Sequence, residues 1–195
     1  AVEILHRMWE KMGEPRREIT VMPWSRAYEA AQNKPGTVIF VTARLPEREK
    51  LFKWVGPITM SQLVLLTTRG NTIALHSDDD IKKYRIGVLH NDVAELIMRK
   101  LGVPSQKLDM APDHKTSVLK LLAGRIDMMV KGEKSLNEFL KGIGQNPENF
   151  KVLRKIAGVQ VCYAFHKDTP DSVINKYQGA LNALRAEGTL NRIIK

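Results

Sequence analysis

Arg44 and Arg48 lie four residues apart in the run Thr42-Ala43-Arg44-Leu45-Pro46-Glu47-Arg48-Glu49-Lys50-Leu51-Phe52. The run follows an apolar, strand-like stretch, so a guanidinium leaving the strand's carboxyl end could fork onto a carboxylate. A surface ladder of Glu and Arg pairs explains the same spacing. Cys162, the single cysteine, allows no intrachain disulfide. It sits in an apolar stretch with no cation nearby in sequence to lower its pKa, which fits a buried structural thiol rather than a nucleophile. The histidines at 6, 76, 90, 114 and 166 have no ligand spacing. Ser77-Asp78-Asp79-Asp80 fails as a calcium loop, because Lys82 and Lys83 fall inside it and Leu89 replaces the closing glutamate; it reads as a capped helix start. Gly142-Ile143-Gly144-Gln145-Asn146-Pro147 breaks the dinucleotide pattern at its third glycine, and no nucleophile elbow, phosphate loop or zincin motif is present. No catalytic residue, metal or cofactor is therefore expected.

The elements that must position these residues follow an α/β rhythm. The spacing predicts a helix over Ala1–Met12, a strand over Ile19–Met22, a helix over Ser25–Asn33, a strand over Thr37–Thr42 and a short helix over Pro46–Phe52. A long strand over Ile58–Thr67 resumes at Ile73–Leu75. A second series follows: strand Arg85–Leu89, helix Asp92–Leu101, strand Lys107–Met110, helix Ser117–Ala123, strand Asp127–Val130 and helix Ser135–Lys141. Strands over Val152–Ile156 and Val159–His166, a helix over Pro170–Ala186 and a short helix to Lys195 close the chain. Two α/β series separated by long strands predict two lobes joined by a hinge. In open parallel sheets, ligands bind at the carboxyl ends of the strands. That rule selects Pro23-Trp24, Thr42-Ala43-Arg44, His90-Asn91-Asp92 and Lys131-Gly132-Glu133.

Composition bounds the function. The chain has 195 residues, with 31 Lys and Arg against 21 Asp and Glu, a net charge of +10. Half of that surplus follows residue 150, and no basic run exceeds pairs such as Arg16-Arg17 and Lys82-Lys83. A scattered basic surface is expected rather than a nucleic-acid site. No apolar run approaches the ~18–20 residues of a membrane helix. The chain opens at Ala1-Val2-Glu3 without a signal-like segment, which reads as a mature or trimmed product.

Pro23-Trp24-Ser25-Arg26-Ala27-Tyr28, then Val38–Arg48, then Lys53-Trp54-Val55-Gly56-Pro57-Ile58 are similar, in that order, to segments of the bacterial extracellular solute-binding proteins of family 3, the polar amino-acid-binding components of ABC transporters. Arg85-Ile86-Gly87-Val88, Leu121–Asp127 and Ala164–Pro170 extend the resemblance over nearly the whole chain. It implies an α/β, type II periplasmic-binding-protein-like fold: a discontinuous first lobe of residues 1–74 plus 165–195, a second lobe of residues 75–164, and two hinge strands. The family's carboxylate-binding arginine falls on Arg48, and its small or hydroxyl partner on Ala43, flanked by Thr42 and Arg44. The family's second-lobe helix N-terminus falls on His90-Asn91-Asp92, where Asp92 fits an N-cap with Glu95 three residues on. A carboxylate there would compete with an anionic ligand. The family's acid that holds an amino acid's ammonium would lie just after Asp127–Val130, where this sequence offers Lys131-Gly132-Glu133, a displaced match. Trp24 is a pocket aromatic or a core residue. The family's first strand and loop, which precede the helix equivalent to Ala1–Met12, are not in this sequence, so a fragment or an incomplete pocket is expected.

The resemblance implies a monomeric periplasmic or extracellular protein that captures a small polar solute, an amino acid or related carboxylate, by hinge closure and delivers it to an ABC permease. The same fold also serves as the ligand-sensing input domain of membrane receptors. A small-molecule enzyme using Glu133 or His90 as a base is the reading from another class, set back by the absence of a paired acid and base.

Overall fold

The computed structural model describes residues 1–194, so the expected end of the last helix at Lys195 lies outside them. The chain divides into two compact units. The first holds Ala1–Met22, Arg26–Met60 and the chain from Val159 on; the second holds Pro23–Ser25 and Ser61–Gly158.

In the first unit, helix α1 (Val2–Met12) buries Ile4, Leu5, Met8 and Trp9 along one face and ends at Gly13, whose left-handed φ of 67° needs a residue without Cβ. That face meets helices α7 (Asp171–Ala186) and α8 (Thr189–Ile194). Val55, Ile58, Tyr163, Phe165, Tyr177 and Leu181 complete the core. The Trp9 indole N–H, buried with its ring, donates to the Tyr177 hydroxyl at 2.9 Å. Helix α2 (Trp24–Asn33) precedes strand β1 (Val38–Arg44), which pairs antiparallel with the end of β6 (Phe150–His166). Between Phe40 and Thr42 the register slips at Val41, a β-branched residue held at φ 63°. That bulge leaves both Thr42 and Ala43 buried.

Two local expectations fail here for a physical reason. Ile19–Met22 forms no strand. Ile19 packs on the core, yet Val21 is 93% exposed and no described strand pairs with the segment, so apolar residues alone do not supply a ladder for its backbone. The helix expected over Pro46–Phe52 is a single 3-10 turn, Pro46–Arg48, because strand β2 (Phe52–Thr68) already starts at Phe52. Phe52 is buried edge-on against Tyr28 and Trp54, at ring separations of 5.3 and 5.7 Å, which rewards the extended phase.

The second unit carries strands β3 (Ile86–Leu89), β4 (Leu108–Ala111) and β5 (Met128–Gly132), with β3 parallel to both of the others. The later half of β2 runs antiparallel to β5, pairing Leu63 with Gly132 and Leu66 with Met129. Helices α3 (Asp78–Ile81), α4 (Val93–Lys100), α5 (His114–Leu122) and α6 (Leu136–Gly142) belong to this unit. Its core includes Leu66, Val118, Leu121, Ile126, Met129, Leu136, Leu140 and Phe150. The Ser77 cap is present as a full capping box with Asp80. Helix α5 starts at His114 rather than Ser117, because the Asp113 side chain accepts from the Thr116 N–H at 2.7 Å. Ile73–Leu75 forms no strand.

The two series thus share two long strands. β2 and β6 each run 17 residues without a break, passing from one unit into the other, where the sequence suggested that the β6 region was two strands. Hydrogen-bonded neighbours follow the order β1-β6-β2-β5-β3-β4.

Candidate functional site

In the first unit, the turn after β1 places the two arginines differently. Arg44 is spent locally: its Nε and Nη2 fork onto the Glu49 carboxylate at 2.8 and 3.0 Å, and its guanidinium stands 5.8 Å over the Trp54 ring. This is the surface pairing that the spacing allowed. Arg48 is 1% exposed. Its Nη1 donates to the Ala43 carbonyl at 3.0 Å, and the guanidinium lies 5.0 Å over the Tyr28 ring. Ala43 therefore serves Arg48 through its backbone, a role open to any residue there. Beside it, the Thr42 hydroxyl is fully buried and has no hydrogen-bond partner among the described residues. Trp24, which opens α2 and is counted with the second unit, is half-buried.

In the second unit, His90, Asn91 and Asp92 form the turn from β3 into α4. Asn91 takes a left-handed φ of 60°, which a short polar side chain tolerates. Asp92 occupies the N-cap position, but its side chain makes no capping bond. Glu95 does not complete the expected box with the Asp92 backbone. Its buried carboxylate accepts from the Asn91 N–H at 2.7 Å and from Arg99 Nε at 2.9 Å, with His90 Nδ1 at 3.7 Å. At the end of β5, the Glu133 carboxylate pairs with Lys155 at 3.1 Å and its N–H donates to Gln62 O at 2.8 Å. Gly132 is half-buried, and a Cβ there would come within 3.0 Å of Ser61 Oγ.

Within each unit the structure therefore groups neighbours in sequence: Thr42, Ala43, Arg44 and Arg48 in one, and His90, Asn91 and Asp92 at one strand end and Gly132 with Glu133 at another in the other. Sequence reasoning left out the Tyr28 ring beneath Arg48, although Tyr28 stands one helical turn after Trp24. It also left out Phe139, and gave Lys131 and His114 no role of their own. The Lys131 ammonium lies 4.9 Å over the Phe139 ring, and His114 meets that ring edge-on at 5.9 Å. Burial, and secondly the Lys131 charge, push His114 down to about 3. Lys131 is itself lowered by burial, against the Asp92 carboxylate, which raises it. Among the described residues no group of three or more His, Cys, Asp or Glu could hold a metal ion. Cys162 is buried, and desolvation pushes its thiol up to about 11, which suits a packing role.

The model of the bacterial extracellular solute-binding proteins, family 3, matches residues 1–195. The chain belongs to this family. Solved structures agree on the fold. A histidine kinase sensor domain with similarity to periplasmic binding proteins superposes with a TM-score of 0.86 at 16% identity, covering 98% of this chain and 82% of that one. The arginine-, lysine-, histidine-binding protein ArtJ from Geobacillus stearothermophilus gives 0.85 at 19%, over 98% and 82%. The substrate-binding protein of an amino acid ABC transporter gives 0.83 at 20%, over 99% and 84%. No curated protein matches in sequence. At these identities the structures establish a periplasmic-binding-protein-like α/β fold, as the resemblance implied. No helix among the described residues is long and apolar enough to cross a membrane.

Proposed function

We propose that this family member captures a small polar solute, an amino acid or related carboxylate, outside the cytoplasm and without chemical turnover. It would close about its hinge strands on the solute and present it to an ABC-type permease. The observation that carries the reading is Arg48, a buried guanidinium positioned by the Ala43 carbonyl and the Tyr28 ring at the end of a strand, in a chain whose family is defined by solute binding. A ligand carboxylate matches the planar fork of a guanidinium. Thr42 adds a buried hydroxyl next to it. The test is calorimetric titration with polar solutes, comparing the unmodified chain with Arg48→Met. Loss of at least about 30-fold in affinity is expected on removing a buried charged donor, and undiminished affinity would remove Arg48 from the mechanism.

Sensing is the second reading, favoured by the likeness to a histidine kinase sensor domain. Binding is common to both. They part at the full-length gene product: a membrane helix and signalling domain following Lys195 would mark a receptor input domain, and a free binding protein would mark transport.

A further inference from the structure

Most cations of the second unit are spent within the fold. Arg85 pairs with Asp127, Arg154 with Asp78 and Lys155 with Glu133, and Lys107 and Lys151 donate to backbone carbonyls. Lys115, Arg125, Lys134 and Lys141 differ. Each is exposed, and among the described residues none forms a hydrogen bond or ion pair through its side chain. All of them lie on α5 and α6 or in the turns beside these helices. The helices are neighbours, because Val118 and Leu121 of α5 share a core with Leu136 and Leu140 of α6, and His114 meets Phe139 at 5.9 Å. Acids in the same stretch do little to offset the charge. Asp127 and Glu133 are already paired, which leaves Glu138.

Apolar residues complete the surface. At the helical period Lys115, Leu119 and Leu122 line one stripe of α5, turned away from buried Ser117, Val118 and Leu121. Leu119 is 52% exposed and Leu122 44%. Leucines set among unpaired cations on an outward helix face match an anionic interface, where cations meet headgroup phosphates and leucines reach the acyl boundary. A fluid headgroup layer can cover such a convex face, whereas a protein partner would have to match it in shape over about 1,000 Å². Transport and sensing both place this chain's work beside a membrane. We propose that the outward face of α5 and α6 is a membrane-association surface that seats the second unit on anionic phospholipid headgroups. The association is peripheral and salt-sensitive, since each cation near the surface strengthens it about five-fold.

The test incubates the full chain with vesicles of phosphatidylcholine alone or with about 30% phosphatidylglycerol, at about 50 and 150 mM salt, and reads the fraction sedimenting with lipid. Two charge-reversed variants are compared: Lys115→Glu with Arg125→Glu and Lys141→Glu, and, as a control of equal net charge, Lys34→Glu with Lys50→Glu and Lys167→Glu on the first unit. The unmodified chain is expected to bind the anionic vesicles at least about ten-fold more tightly than the neutral ones, and less tightly at the higher salt. The helix variant should lose at least about 30-fold, and the control should stay within about five-fold. Equal losses in the two variants would assign the attraction to net charge alone and overturn the inference. Equal binding to both vesicles, or binding to neither, would also overturn it. So would tighter binding of poly-L-glutamate than of the anionic vesicles, which would make the partner an acidic protein. The vesicle comparison on the unmodified chain decides the question even if a variant does not fold.

Discussion

Arg48 and Arg44 show how little residue type fixes by itself. The two guanidiniums are four residues apart, yet one is neutralised by Glu49 on the surface and the other is buried over Tyr28. The difference comes from the strand bulge at Val41 and the 3-10 turn that follows the strand. An Arg44→Gln change should therefore leave solute affinity within about five-fold, the range of an exposed pair worth under about 1 kcal/mol; an Arg48-like loss in the same titration would reverse the assignment. Gly56 is a second residue fixed by its surroundings. A Cβ there would lie 2.5 Å from Cys162 Sγ and 2.9 Å from its Cβ. Gly56→Ala is expected to cost about 1–3 kcal/mol by overpacking, read as a lower denaturant midpoint, and an unchanged midpoint would show that the two strands separate freely there.

At the scale of elements, helix α5 gives the pH prediction. Folding depresses the His114 pKa to about 3 from an ordinary 6.5, so below pH 6.5 the unfolded chain takes up a proton that the folded chain refuses. Stability is unaffected above that pH and falls as pH drops through the window from 6.5 toward 3. By pH 5 the loss is at most about 2 kcal/mol, less where solvent reaches the ring. His114→Gln should flatten the melting temperature between pH 6.5 and 5, and an equally steep decline in the variant would place the acid sensitivity elsewhere.

The elements are also where the sequence was most and least readable. Helices α1, α4 and α7 and strand β3 were legible because their apolar residues recur at the period of the element and a cap or glycine marks an end. Ile19–Met22 misled because strand formation depends on a neighbouring backbone that the pattern does not contain. Phe52 misled because burial against Tyr28 and Trp54, not local propensity, selects the extended phase. Lys131 was selected as lying near a strand end, but only packing reveals the Phe139 face beneath its ammonium and His114 beside that ring.

For the whole molecule, the +10 charge is carried mostly by exposed, paired or scattered side chains. The α/β class and the alternation of two series were written in the order of elements, and the structure follows that order in most elements. The solute is a different matter, because it is selected by a few side-chain directions that no periodicity encodes. The central claim is binding without turnover. It is tested most directly by titrating the full chain with polar amino acids and dicarboxylates in a calorimeter and recovering the solute. One saturable site, with the solute returned chemically unchanged, is the predicted result; no heat from any of these solutes, or conversion of one of them, would contradict it.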